Sequence, residues 1–301
     1  MYSLTGLKLK NPTILAAGVL GTTGASLQRV AQEGGAGAVV SKSIGPEPKK
    51  GHPNPSMLKL NCAFLNAMGL PNPSYQEFKG ELEIAKASAN VPVIASIFGG
   101  SAKEFVKVAE GLLPGKPDAF ELNLSCPHAE GYGAAVGSNP CLVETITAAV
   151  KEVSKLPVWV KLTPNVSDIR TIGKAAEAGG ADAVVAINTV KAMAIDIESG
   201  YPLLGNRSGG LSGPAIKPVA VKAVYDLYAA LELPVIGVGG VSGWEDAVEL
   251  MMAGASAVQV GSAVYDSLDV FSKISSGIEA FLDRKGYRDV KDIIGLAHEM
   301  V

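Results

Sequence analysis

The sequence predicts an α/β chain folded as a TIM (β/α)8 barrel with long βα loops at its C-terminal face. Two recurring spellings and a steady alternation of strand and helix signals carry that expectation. The first spelling is Gly35-Ala-Gly-Ala-Val39, Gly180-Ala-Asp-Ala-Val184 and Gly254-Ala-Ser-Ala-Val258, each of which follows a helix-like run and opens an apolar strand. The second is Val91-Pro-Val-Ile, Leu156-Pro-Val-Trp and Leu233-Pro-Val-Ile, with proline at the strand entry where it removes no ladder donor. The two spellings interleave, as expected of a repeated βα unit.

Taken in order, the first strand is Thr13 to Ala17 and the second lies near residue 37. The third lies near 93, the fourth is Ala119 to Asn123, and the others lie near 158, 183, 235 and 257. That makes the barrel number of eight. Between them fall helix starts: Ser101-x-x-Glu104 and Ser242-x-x-Glu245 read as capping boxes, and Asn139-Pro140 as a cap followed by the first helical residue. An open doubly wound sheet would also alternate strand and helix, but it seldom shows this two-fold repetition, so the closed barrel is favoured. Residues 43 to 74, rich in Pro and Asn, and residues 188 to 214, rich in Gly, exceed a usual βα loop. Both leave C-terminal strand ends, the catalytic face of a barrel, and read as lids or substrate walls within one domain spanning 1–301.

Bulk properties agree. A barrel uses about 250 residues as one unit, so 301 residues need no second domain. With 26 basic against 29 acidic residues there is no basic field to draw nucleic acid or anionic lipid, and a small-molecule partner is expected. No apolar run approaches the ~18 residues of a membrane span. Three cysteines, Cys62, Cys126 and Cys141, are too few for a disulfide framework, and no signal-peptide pattern opens the chain, so a cytoplasmic protein is expected. Cys62 and Cys141 read as buried structural thiols.

Chemistry gathers at the predicted strand ends. Gly237-Val-Gly-Gly240-Val-Ser-Gly243 ends the seventh strand and begins a helix, and Gly261-Ser262 ends the eighth. Bare backbone amides beside a helix N-terminus suit a phosphate, at the place where barrels recurrently bind one. Gly18-Val-Leu-Gly21-Thr-Thr-Gly24 only imitates a dinucleotide fingerprint, because its spacing is wrong. Lys42, Asn66, Asn123, Lys161 and Asn188-Thr189 lie at successive strand ends or on the following loops. Asn supplies donor and acceptor for the amide edges of a flat heterocycle, and Lys a charge for an anion. Lys161, in Val158-Trp-Val-Lys161-Leu-Thr, points an ammonium into the barrel mouth, where it requires a counter-charge. Glu121-Leu-Asn-Leu-Ser-Cys-Pro-His128 places Cys126 at the barrel top, where a thiol titrating near ~8.5 can serve as a base or attack covalently. The glycines of 131 to 137 would let the following loop close over a substrate.

These residues resemble those of the class 1 dihydroorotate dehydrogenases, most closely the NAD-linked 1B branch, nearly end to end. The motifs are Asn66-Ala-Met-Gly-Leu-Pro-Asn72, Asn123-Leu-Ser-Cys-Pro127, Val160-Lys-Leu-Thr-Pro164, Ile187-Asn-Thr189, Gly209-Gly-Leu-Ser-Gly-Pro214, Gly237-Val-Gly-Gly240 and Gly261-Ser262. The resemblance implies FMN bound by Lys42, Ser43, Asn123, Lys161, Ile187, Gly213, Gly239, Gly240, Gly261 and Ser262, the last four holding the phosphate. It implies dihydroorotate, or its product orotate, held by Lys42, Asn66, Met68, Gly69, Leu70, Asn123, Asn188 and Thr189. In that reading Cys126 is the base, and Lys161 steadies the reduced flavin, which supplies its counter-charge. No catalytic metal is implied.

The resemblance further implies a homodimeric core and a partner subunit with FAD and an iron–sulfur cluster, which three scattered cysteines here could not hold. The membrane-associated class uses serine where this chain has Cys126. Ala17 and Ser96 stand where Ser and Asn are the commoner family spelling, and His128 where Asn is frequent. Two alternatives stay open: an FMN barrel like that of the dihydropyrimidine dehydrogenases, acting on dihydrouracil, and a barrel without catalysis that serves as a scaffold.

Overall fold

The computed structural model describes residues 2–124 and 134–299. The chain opens with an antiparallel hairpin, β1 (Tyr2–Leu4) and β2 (Leu7–Leu9). Its two-residue turn has positive φ at both Thr5 (47°) and Gly6 (81°), the turn whose twist matches that of the strands. Next come β3 (Thr13–Leu15), α1 (Gly24–Gln32) and β4 (Ala38–Val40). The first long loop carries β5 (Met57–Leu60) and β6 (Ala63–Asn66) and leads into α2 (Tyr75–Ser88). Then follow β7 (Val93–Ile97), α3 (Ala102–Leu112), β8 (Ala119–Asn123), α4 (Ala134–Gly137) and α5 (Pro140–Ser154). β9 (Val158–Leu162), α6 (Ile169–Ala178) and β10 (Ala183–Ala186) continue the alternation. The second long loop contributes β11 (Val190–Ala192) and β12 (Gly209–Ser212). The chain ends through α7 (Lys217–Ala230), β13 (Val235–Val238), α8 (Trp244–Met252), β14 (Ala255–Val260) and α9 (Val270–Lys285).

The strands β3, β4, β7, β8, β9, β10, β13 and β14 pair in parallel and in chain order, and β14 closes on β3. Every strand expected from the repeats is there. Alternation along each strand divides the apolar residues into two layers. In β9, Val158, Val160 and Leu162 belong to the large core between sheet and helices, while Trp159 joins Ile14, Ala38, Ile94, Val185 and Ile236 inside the barrel. The hairpin seals the floor of this inner core, with Leu4 and Leu9 buried in it. The indole Nε1 of Trp159 donates to Thr5 Oγ1 at 3.0 Å, tying the floor to the hairpin turn.

The helix starts are partly as read. Asn139 caps α5 by accepting from the Leu142 amide, with Pro140 in the first turn. Ser101 caps α3, although Glu104 reaches back to the Gly100 amide, one residue earlier than a capping box requires. The expected box Ser242-x-x-Glu245 is displaced by one residue. α8 is capped at Gly243, and the Asp246 carboxylate accepts from the amides of both Ser242 and Gly243. Aspartate wins because its short arm holds the carboxylate above the first turn, where the bare amides point.

Cys62 and Cys141 are exposed, against expectation. Cys62 lies in the turn between β5 and β6, and Cys141 sits in the first turn of α5, off the stripe of Val143, Ile146, Thr147 and Val150 that meets the sheet. The two long loops also do more than cover the mouth separately. Their strands pair in the order β11-β12-β6-β5, a four-stranded antiparallel sheet above the C-terminal ends of the barrel.

Candidate functional site

A cleft opens at the C-terminal ends of the barrel strands, walled on one side by that small sheet. Lys42 and Ser43 follow β4, Asn66 ends β6, and Met68, Gly69 and Leu70 come just after it. Asn123 closes β8, Lys161 lies within β9, and Ile187, Asn188 and Thr189 follow β10. Gly213 follows β12, Gly239 and Gly240 follow β13, and Gly261 and Ser262 follow β14. All of these residues line the cleft together. Cys126, with the rest of 125–133, lies outside the described residues.

The polar groups are held in fixed orientations. Asn188 Nδ2 donates to Asn123 Oδ1 at 3.3 Å, and Asn123 Nδ2 donates to Ser43 Oγ at 3.0 Å. Ser43 Oγ lies 2.9 Å from Ser96 Oγ. The amide of Thr189 donates to Asn188 Oδ1 at 2.8 Å, and Asn66 Nδ2 donates to the Gly210 carbonyl across the small sheet. A string of amides and hydroxyls thus crosses the mouth, each orientation set by its neighbour, so a flat ring with imide edges meets donors and acceptors already aimed. Ala17 lines the cleft, whereas the buried Ser96 sits behind Ser43.

Charge is distributed unevenly. Lys42 and Lys161 are buried ammonium groups lining the cleft, and its described lining includes no carboxylate. At one end, Gly240 has φ 76°, and a Cβ there would stand 2.5 Å from Lys217 Cβ, so glycine alone lets this turn close against α7. Lys217 in turn pairs with Asp246 at 2.9 Å and Glu249 at 2.8 Å, hydrogen bonds that hold its ammonium well above the usual lysine value. Burial pushes the Asp246 carboxyl up, but hydrogen bonds from Lys217, Ser242 and Gly243 outweigh that and keep it below the usual carboxylate range. The amides of Ser242 and Gly243 are therefore engaged by the protein itself, while Gly239, Gly240, Gly261 and Ser262 line the cleft. At the rim, Tyr265 leans on Phe64 with ring centroids 5.5 Å apart, and burial raises its phenol above the ordinary tyrosine value.

Beneath the mouth, Lys161 meets a counter-charge that its sequence context did not reveal. Its Nζ donates to Gln259 Oε1 at 3.0 Å and lies 3.7 Å from Glu121 Oε1, while Gln259 Nε2 donates to Glu121 Oε2 at 2.6 Å. The protein itself, rather than a bound anion alone, therefore balances this ammonium. Glu121 and Gln259 belong to no motif that marks a binding role, yet each occupies an inward position on a barrel strand. A charged residue with that parity in an otherwise apolar strand was the signal. Phe64, Ile216 and Tyr265 also line the cleft and carry no motif that marks them.

Among the described residues, no helix is long and apolar enough to cross a membrane. The sequence profile of the dihydroorotate dehydrogenase family matches residues 1–282. The chain is 80% identical over 301 residues to the dihydroorotate dehydrogenase B (NAD(+)) catalytic subunit of Methanosarcina acetivorans, covering 100% of this chain and 97% of that protein. It is 54% identical over 297 residues to the protein of the same description from Pyrococcus abyssi, covering 98% of each. A crystal structure of DHODH from Eimeria tenella in complex with ferulenol superposes with a TM-score of 0.83 at 23% identity, over 99% of this chain and 88% of that one. A closed barrel whose loops converge on one cleft, and a sequence aligned from end to end with these catalytic subunits, lead to one placement: the chain belongs to the dihydroorotate dehydrogenase family of oxidoreductases.

Proposed function

We propose that this barrel, as one FMN-binding domain, oxidises dihydroorotate to orotate in pyrimidine biosynthesis, with Cys126 as the base. The observation that carries the reading is the convergence of Lys42, Asn66, Asn123, Asn188 and Thr189 on one cleft whose described lining has two buried ammonium groups and no carboxylate. That donor set fits an anionic heterocycle. A flavin nucleotide fits it as well, its phosphate at Gly239, Gly240, Gly261 and Ser262 and its ring against Ser43, Asn123, Lys161, Ile187 and Gly213.

When bound, FMN supplies the hydride acceptor for C6 of the substrate. Cys126 takes the proton from C5, for which a thiolate near neutral pH is suited. Lys42 pairs with the substrate carboxylate, and the amides of Asn66, Asn123 and Asn188 fix the imide edges, assisted by Thr189 and the backbone of Met68, Gly69 and Leu70. The chain Asn188–Asn123–Ser43 keeps those amides from rotating, so the ring is oriented before chemistry begins. Lys161 places a positive charge at the cofactor edge.

The relatives are named as catalytic subunits, and we read the present chain likewise as one subunit of an assembly: a homodimeric core with an electron-transfer subunit bearing FAD and an iron–sulfur cluster, acting in the cytoplasm. Purified protein incubated with dihydroorotate and an artificial electron acceptor should be yellow and form orotate. Oxidation of dihydrouracil but not of dihydroorotate would assign the barrel to the other pyrimidine chemistry.

A further inference from the structure

We propose that Glu121 is a positioning residue that acts through Lys161 to hold down the reduction potential of the bound flavin. The inference rests on the FMN reading given above. Among the described residues Glu121 is the sole buried carboxylate, at 0% exposure, and the buried cations are Lys42 and Lys161. It does not line the cleft; it lies one layer beneath, opposite Ser96 and Trp159 in the strand register.

The hydrogen bonds around it run in one direction. Lys161 Nζ donates to Gln259 Oε1, and Gln259 Nε2 donates to Glu121 Oε2. Only this orientation of the glutamine amide serves both an ammonium and a carboxylate. Glu121 Oε1 has no hydrogen-bond partner among the described residues and faces Lys161 Nζ at 3.7 Å. The carboxyl group thus faces a donor on the side of each oxygen and, among the described residues, no acceptor for a proton.

Lys161 and Glu121 together form a buried pair of zero net charge. Negative charge arriving on the flavin on reduction then leaves the buried unit with a net charge of −1. Without the carboxylate the unit ends neutral, whether Lys161 is already protonated or takes a proton at that moment. Low-dielectric surroundings make this difference count. Glu121 therefore makes the flavin harder to reduce, and a flavin of lower potential passes electrons onward more readily.

The test is the midpoint potential of FMN in the purified holoprotein, read against a reference dye during slow reduction. Glu121→Gln keeps the shape and the hydrogen-bond reach and removes the charge. It should raise the equilibrium constant for reduction at least tenfold, a shift of roughly 30 mV upward for a two-electron couple. Glu121→Asp keeps the charge at the expense of packing and should stay near the parent value. An unchanged or lower potential in Glu121→Gln, or an equal rise in both variants, overturns the proposal. If Glu121→Gln does not fold, infrared spectra of the oxidised parent decide the matter, since a protonated-carboxyl band from this buried residue overturns the proposal and its absence supports it. A colourless protein that takes up no added FMN would instead remove the cofactor reading on which the proposal stands.

Discussion

A thiol at position 126 sets the chemistry expected of single residues in this barrel. A hydroxyl in its place would need a strong neighbouring base to become an acceptor, whereas a thiol titrates close enough to neutrality to act with modest help. If Cys126 is the base, Cys126→Ala should retain bound FMN, seen as an unchanged flavin spectrum, yet lose ~10²-fold or more in kcat with dihydroorotate. Near-normal turnover in that variant would refute the assignment. How far such residues could be read in advance depends on what announces them. Asn66, Asn123, Lys161 and Asn188 sit at strand ends inside recognisable motifs, and the cleft gathers them. Glu121 and Gln259 stand on different strands, 138 positions apart in sequence, and become partners only when the barrel closes. The inward parity of a charged side chain marks Glu121, but nothing local in either strand names its partner.

Among the elements, α8 shows how one turn can serve both stability and the site. Its first-turn Asp246 satisfies the Ser242 and Gly243 amides and anchors Lys217 of α7, so two helices are tied beside the glycine turn at 239–240. Asp246→Asn keeps an acceptor oxygen but loses the charge that favours both partners. A cost of about 1 kcal/mol is expected, in the range of helix-cap losses. Because the Asp246 carboxyl is held below the usual carboxylate value, its contribution is present at neutral pH and is lost as the pH falls through that lowered value. Thermal melts should therefore show the Asp246→Asn variant less stable than the parent at pH 7, the gap narrowing once the pH drops below about 4. A gap that persists unchanged in acid would assign the loss to packing.

The misplacement of this cap by one residue in the sequence reading has a plain cause: Ser242 and Gly243 can each begin a helix, and the choice is made by which carboxylate reaches the bare amides. The small sheet β11-β12-β6-β5 was hidden for a different reason. Its strands come from loops more than a hundred residues apart, and their pairing is fixed by the barrel that brings the loops together.

At the scale of the whole molecule the barrel separates its two ends, with chemistry at the open mouth and closure at the floor. The eight strands were legible because each βα unit repeats its own turn chemistry, a local signal. The floor was not, since the hairpin turn is spelled Thr5-Gly6, outside the commonest hairpin pairs, and its strands are three residues each. The fully buried Trp159 joins the two regions, filling the barrel interior while its indole donates to Thr5. Trp159→Ala opens a large cavity and releases the hairpin turn, at an expected cost of about 3–5 kcal/mol. For a chain of this size that corresponds to an apparent Tm lower by roughly 5–8 °C. Lys161 lies two residues further along the same strand and faces the mouth, yet it is held there by Gln259 and Glu121 from other strands. At temperatures where the variant remains folded, KM for dihydroorotate should therefore stay within about twofold of the parent, although Trp159 is the register partner of Glu121, because Gln259 still holds Lys161 from the other side. A rise in KM that tracks the loss in Tm would mean that the floor and the mouth of the barrel are one cooperative unit.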